Sequence, residues 1–125
     1  MSALGTQAMV DLYECDVAAL NSVEVVREHM LEAARRCGAT VVTSCFHRFS
    51  PHGVSGVVVI AESHLAIHTW PEHGYAAVDL FTCGHTLKPE LCFEYLRDAL
   101  KSGRHTTRAF ARGEQLHLHP TGAHP

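Results

Sequence analysis

Val54-Ser55-Gly56-Val57-Val58-Val59-Ile60 ends in four consecutive branched apolar residues. A strand with one face in water alternates apolar and polar side chains, so an unbroken run predicts a strand covered on both faces. Working outward, residues 39–47 are rich in Thr, Val and Phe and read as a strand, and Phe49-Ser-Pro-His-Gly53 supplies turn residues. On the other side His64–Thr69 alternates, Trp70-Pro-Glu-His-Gly74 reads as a turn, and Tyr75–Thr82 as a further strand. Residues 8–14 form another strand, and 106–111 and 115–119 carry fainter strand patterns. Two helices complete the set. In the first, Asn21 and Glu24 have capping-box spacing, Val23, Val26, Met30, Ala33, Ala34 and Cys37 recur at helical intervals, and Gly38 terminates it. The second opens at Pro89, carries Leu91, Cys92, Tyr95, Leu96, Ala99 and Leu100 as its stripe, and closes at Gly103.

These elements predict an α+β fold, a two-layer sandwich with a largely antiparallel sheet and two helices on one face. The other face is then bare, and the Val57–Ile60 run predicts that a second copy covers it, sheet against sheet, in a homodimer.

At 125 residues and 13.7 kDa the chain is read as one domain, residues 1–125. A net charge of -3, with 46% hydrophobic and 18% charged residues, argues against a nucleic-acid partner. No stretch approaches the roughly 18 apolar residues of a membrane span, and no basic-then-apolar leader opens the sequence, so a cytoplasmic location is expected. Cys15, Cys37, Cys45, Cys83 and Cys92 contain no Cys-x-x-Cys pair, so neither a disulfide framework nor a zinc ribbon is indicated, and most read as small buried hydrophobes. Residues 120–125 read as a disordered tail.

The chemistry concentrates between Glu62 and Gly84, which contains Glu62, Ser63, His64, His68, Glu72, His73 and Cys83. Each residue alone has an ordinary reading. Ser63 lacks the Gly-x-Ser-x-Gly elbow of a hydrolase nucleophile, Ser55 sits in a strand, Cys83 fits a small core residue, and His68 fits a hydrogen-bonded core histidine. Phe49 fits a turn-packing aromatic and Glu72 a solvated turn acid.

Together they carry a resemblance. Glu62-Ser-His-Leu65, Ile67-His-Thr-Trp-Pro-Glu72, Gly74-Tyr-Ala-Ala-Val-Asp-Leu80 and Thr82-Cys-Gly84 resemble the bacterial and archaeal S-adenosylmethionine decarboxylase proenzymes. The likeness extends to Tyr13-Glu-Cys-Asp16, Phe46-His-Arg-Phe49 and Gly53-Val-Ser-Gly-Val-Val-Val59, covering roughly residues 4–102. It implies self-cleavage between Glu62 and Ser63: the Ser63 hydroxyl attacks the preceding carbonyl, an N→O acyl shift gives an ester, and β-elimination leaves a pyruvoyl group at the new N-terminus. Decarboxylation needs an electron sink, and no side chain is a carbonyl electrophile, which is what the pyruvoyl cofactor supplies. Its Schiff base with the substrate amine would let CO₂ leave from S-adenosylmethionine, on the route to spermidine and other polyamines.

By matching positions, the resemblance assigns Ser55 to holding the processing intermediate, His68 to taking the proton for elimination, and Cys83 to an acid role in processing and decarboxylation. Phe49 would stack on adenine and Glu72 would accept hydrogen bonds from ribose hydroxyls. If Ser63–His68 is extended, its ends lie about 16 Å apart, too far for direct proton transfer. Ser63 and Cys83 of one protomer are therefore expected to meet Phe49, Ser55, His68 and Glu72 of the other.

The chain departs from the family near its start, where Gly5-Thr6-Gln7 stands in place of the Gly-Arg-His or Gly-Lys-His of many bacterial members. This leaves a pyruvoyl-dependent arginine or ornithine decarboxylase as an alternative, although Phe49 and Glu72 favour a nucleoside. An alternative of another class is a ligand- or metal-binding dimer that never cleaves. His117, His119 and His124 have no neighbouring Cys or acid ligands in sequence, so no metal is assigned. Arg104, Arg108 and Arg112 read as solvent-facing charges.

Overall fold

The valine run lies inside a six-stranded sheet. In a computed structural model, which describes residues 3–84 and 86–114, the elements are β1 (Gly5–Tyr13), α1 (Val17–Leu20), α2 (Val23–Arg36), β2 (Val41–Arg48), β3 (Val54–Ile60), β4 (Ser63–Trp70), a 3₁₀ turn (Pro71–His73), β5 (Tyr75–Cys83), α3 (Pro89–Ala99) and β6 (Arg104–Arg112). The sheet order is β2-β3-β4-β5-β1-β6, and all neighbours are antiparallel. Hairpins explain β2 through β5, and the N-terminal strand then inserts between β5 and β6.

Register fixes the two faces. Val58, Leu65, Leu80 and Ala8 stand in one lateral row, all buried. Val26, Met30, Ala33 and Ala34 of α2, with Cys92, Phe93 and Leu96 of α3, close over that side in a single apolar cluster. Both helices therefore cover one face, in agreement with the α+β sandwich read from the sequence. The next row, Val57, Ala66, Asp79 and Met9, faces away from the helices, and so does the row Val59, His64, Phe81, Gln7 and Phe110. Val59 and Phe110 keep 37% and 51% of their surface exposed. Among the described residues the helices thus cover the valine run on one side only.

Several local expectations are corrected. Ser22, not Asn21, caps α2, its Oγ accepting from the Val25 N–H at 3.2 Å. Asn21 is used elsewhere, accepting from the Gly53 N–H at 3.0 Å. The short α1, capped by Asp16, escaped notice because four residues cannot show a helical period. The second long helix ends at Ala99 rather than Gly103, with Lys101 at φ 57° turning the chain. β6 is longer than the 106–111 pattern because every residue along it is exposed, which erases alternation. Arg104, Arg108 and Arg112 are solvent-facing on it, and Arg104 also lies over the Tyr13 ring. Of the cysteines, Cys15, Cys37 and Cys92 are buried, Cys83 is half-buried and Cys45 is exposed. Residues 115–125, including the 115–119 strand pattern and the expected disordered tail, lie outside the described residues. Among the described residues no helix is long and apolar enough to cross a membrane.

One buried hydroxyl ties three elements together. Thr69 Oγ1 accepts from the Val54 N–H and donates to the Leu20 carbonyl, both at 2.8 Å. It thereby fixes the start of β3 and the end of α1 against β4, next to Ser55 and His68. Removing the hydroxyl strands a buried donor and a buried acceptor, at about 1–3 kcal/mol each. Thr69→Val is expected to lower the unfolding free energy by about 2–4 kcal/mol in denaturant titration, and Thr69→Ser to recover most of the loss.

Candidate active site

The two ends of β4 carry different chemistry. At its start β3 and β4 are joined by a two-residue hairpin loop, Ala61-Glu62, with Ile60 paired to Ser63. Glu62 adopts φ 63°, a left-handed conformation that glycine or asparagine normally occupies and that costs a residue with a Cβ on the order of 1–3 kcal/mol. The strain sits on the residue whose carbonyl Ser63 would attack. Ser63 Oγ donates to that carbonyl oxygen at 2.6 Å and accepts from the Cys83 N–H at 3.3 Å. The hydroxyl is thus pinned against the Glu62–Ser63 peptide by the last residue of β5. The structure brings Glu62, Ser63 and Cys83 together.

The second cluster is at the far end of the strand. Ser55 and His68 are direct partners across β3 and β4, and Ser55 Oγ and His68 Nδ1 share a hydrogen bond of 2.8 Å. They line a pocket of about 380 Å³ with Phe49, Pro51, His52, Trp70 and Glu72, a size that suits a small ligand. Phe49 is held by a closed turn, its N–H donating to the Gly53 carbonyl at 2.7 Å, and Gly53 takes φ 109°, which a side chain would strain. Arg48 Nε donates to the Asn21 carbonyl at 3.0 Å, fastening the same turn to the end of α1. Glu72 stands on the 3₁₀ turn, paired through Oε1 with His52 Nε2 at 3.2 Å. Phe49, Ser55, His68 and Glu72 are therefore one group.

The two groups do not meet within one chain. Five residues separate Ser63 from His68 on a regular strand, about 16 Å. Five is also an odd number, so alternation turns the side chains to opposite faces: Ser63 shares the helix side with Ile60, and His68 the open side with Ser55 and Ala77. Cys83 pairs with Gly5 and continues the open-face alternation of Phe81.

Some residues around the pocket carry no sequence signal. Trp70 and His52 line it, yet each reads only as a turn residue. Tyr75 stacks on Tyr13 and packs tilted against Trp70, both at 5.3 Å, and donates its hydroxyl to Asp11 Oδ1 at 2.6 Å. Burial first, and then that carboxylate, push the Tyr75 phenol well above its usual range, so it stays a donor. The departing segment Gly5-Thr6-Gln7 does lie beside Cys83, and Arg112 of β6 stands opposite Gly5. Among the described residues no three His, Cys, Asp or Glu side chains group as metal ligands, and His117, His119 and His124 lie outside them.

The S-adenosylmethionine decarboxylase family model matches residues 6–113. The chain is 54% identical over 114 residues to a protein of Acidithiobacillus ferrooxidans named S-adenosylmethionine decarboxylase proenzyme, covering 91% of this chain and 86% of that one. A protein of the same name from Thermotoga maritima is 57% identical over 104 residues, covering 83% and 80%. Among solved structures, the adenosylmethionine decarboxylase of Aquifex aeolicus superposes with a TM-score of 0.83 at 37% identity, over 90% of this chain and 93% of that one. With the family model spanning nearly the whole described chain and relatives above half identity, this protein belongs to the S-adenosylmethionine decarboxylase family.

Proposed function

We propose that the chain is a proenzyme that cuts itself between Glu62 and Ser63 and then decarboxylates S-adenosylmethionine, as a homodimer whose active sites each draw on both copies. The observation that carries this is Ser63 Oγ held 2.6 Å from the carbonyl oxygen of a residue in a strained left-handed conformation. Attack of Oγ on the Glu62 carbonyl carbon breaks the C–N bond and forms an ester, so the strain at Glu62 is released as the peptide opens. The Cys83 N–H faces the same oxygen of Ser63 and orients it. Elimination then removes the Cα proton of residue 63 and expels the Glu62 carboxylate, which needs a base. His68, its Nδ1 engaged by Ser55 and its other nitrogen available, is the base we assign.

The dehydroalanine left at residue 63 tautomerises to an imine, water hydrolyses it with release of ammonia, and the resulting pyruvoyl group supplies the electrophilic carbonyl and electron sink that no side chain offers. Its setting fits such a group: the Cys83 backbone N–H lies beside it, and cleavage frees it from the hairpin that holds it on the helix side. Cys83 is then the acid that returns a proton. Phe49 offers a ring face to adenine, and Glu72 offers carboxylate oxygens to the ribose hydroxyls. The product is a donor of aminopropyl groups for polyamine synthesis.

The dimer is supported by the open face. Val59, Phe110 and Cys45 are exposed and Val57 is half-buried on a sheet side that no helix of the described residues reaches, and apolar sheet faces are stable when packed on another sheet. His68 and Ser55 lie on that face, so a second copy placed there brings their pocket to the interface.

Intact mass of the purified protein is expected to give two fragments meeting at Glu62/Ser63, and CO₂ release is expected with S-adenosylmethionine but not with arginine or ornithine. Ser63→Ala is expected to stay at 13.7 kDa and release none. An uncut, active wild-type protein, or preference for arginine or ornithine, overturns the reading. Glycine accepts φ 63° without strain, so Glu62→Gly is expected to slow self-cleavage roughly tenfold in a time course of fragment formation, the scale of 1–3 kcal/mol of lost ground-state strain. An unchanged rate would mean that the strain contributes nothing.

A further inference from the structure

A carboxylate that receives two vicinal hydroxyls must point both oxygens at them, yet a glutamate has three rotatable bonds with which to lose that orientation. Glu72 stands on a turn that is itself fixed, since Pro71 is buried and Gly74 closes it at φ 60°. Its side chain is half-exposed, and the one partner it has among the described residues is His52, whose Nε2 lies 3.2 Å from Oε1. His52 is well placed to act as a fixed post. The residue before it, Pro51, accepts from Arg48 Nη2 at 3.5 Å. The residue after it, Gly53, is bonded to both Phe49 and Asn21. The backbone carrying the imidazole is thereby held on both sides, and imidazole and carboxylate line the same 380 Å³ pocket. An Nε2–H donor exists in the charged imidazole and in one neutral tautomer, and Oε1 keeps a second lone pair while Oε2 stays free.

We propose that His52 is a positioning residue for substrate binding: its Nε2–H fixes the Glu72 carboxylate in the orientation that accepts the ribose hydroxyls of the nucleoside. This rests on the ribose role given to Glu72 above. The contact is made before and during the reaction alike and neither group exchanges a proton or a bond with the substrate, so its loss weakens binding without touching the chemical step.

The test uses fully processed enzyme and steady-state CO₂ release from S-adenosylmethionine. His52→Phe, which keeps a ring but no donor, is expected to raise KM about fivefold with kcat within about twofold, the scale of one hydrogen bond. His52→Gln places an amide N–H near the position of Nε2 and is expected to restore KM. Glu72→Gln is expected to raise KM by itself, and adding His52→Phe to it to change KM no further. An unchanged or lower KM in His52→Phe, or a His52→Gln enzyme as impaired as His52→Phe, overturns the inference. If Glu72→Gln raises KM while His52→Phe does not, only the positioning role fails. If Glu72→Gln leaves KM unchanged, the ribose role of Glu72 fails and this inference with it.

Discussion

The two-residue loop between β3 and β4 sets the register on which both halves of the site depend. With Ile60 opposite Ser63, every later pair of that hairpin is fixed, including Ser55 opposite His68. A loop one residue longer would turn His68 to the helix side and separate it from Ser55. The same tightness forces Glu62 into a left-handed conformation directly before Ser63. One turn thus supplies a stressed peptide bond at one end of β4 and a serine–histidine pair at the other. It also keeps the two apart, because a straight strand cannot fold back on itself.

The packing explains why the strand stays straight. On the helix side, Leu65, Ile67 and Thr69 are buried under α2 or bonded to α1, so β4 is clamped along its length. On the open side the neighbours are His64, Ala66 and His68, with His64 stacked on Phe81 at 6.0 Å. A sheet stabilised from one side has a second side to offer, and here that side carries the Ser55–His68 pair. A dimer through this face turns a geometric obstacle within one chain into a way of joining two half-sites.

Much of this was legible in the residues, for reasons that differ by element. The alternation of Tyr75–Thr82 and the helical stripes of Val26, Met30, Ala33, Ala34 and of Cys92, Leu96 report burial on one side, and those elements stand where they were expected. The valine run was ambiguous because β-branched residues favour strands on either face, covered or not, and among the described residues no helix covers Val57 or Val59. Asn21 has the chemistry of a helix cap, but Ser22 takes that place and Asn21 serves the Phe49–Gly53 turn instead, a competition between local and distant partners that spacing cannot resolve. The grouping of Ser63 with Cys83 follows from β4–β5 pairing, and that of His52 with Glu72 from two turns meeting across twenty positions. Neither has a periodic signature: the first was expected from the family resemblance alone, and the second came only from the fold. The opposite facing of Ser63 and His68 follows from counting residues on one strand and was available from the outset.

In the proposed dimer, Ser63 of one copy is served by His68 of the other. The most direct measurement isolates a doubly tagged heterodimer from co-expression of Ser63→Ala and His68→Ala chains and asks which chain is cut. The His68→Ala chain, which keeps Ser63, is expected to be cleaved while the Ser63→Ala chain stays whole, with CO₂ release near half that of the wild-type dimer. Neither chain cut and no CO₂ released, from a verified heterodimer, would contradict it.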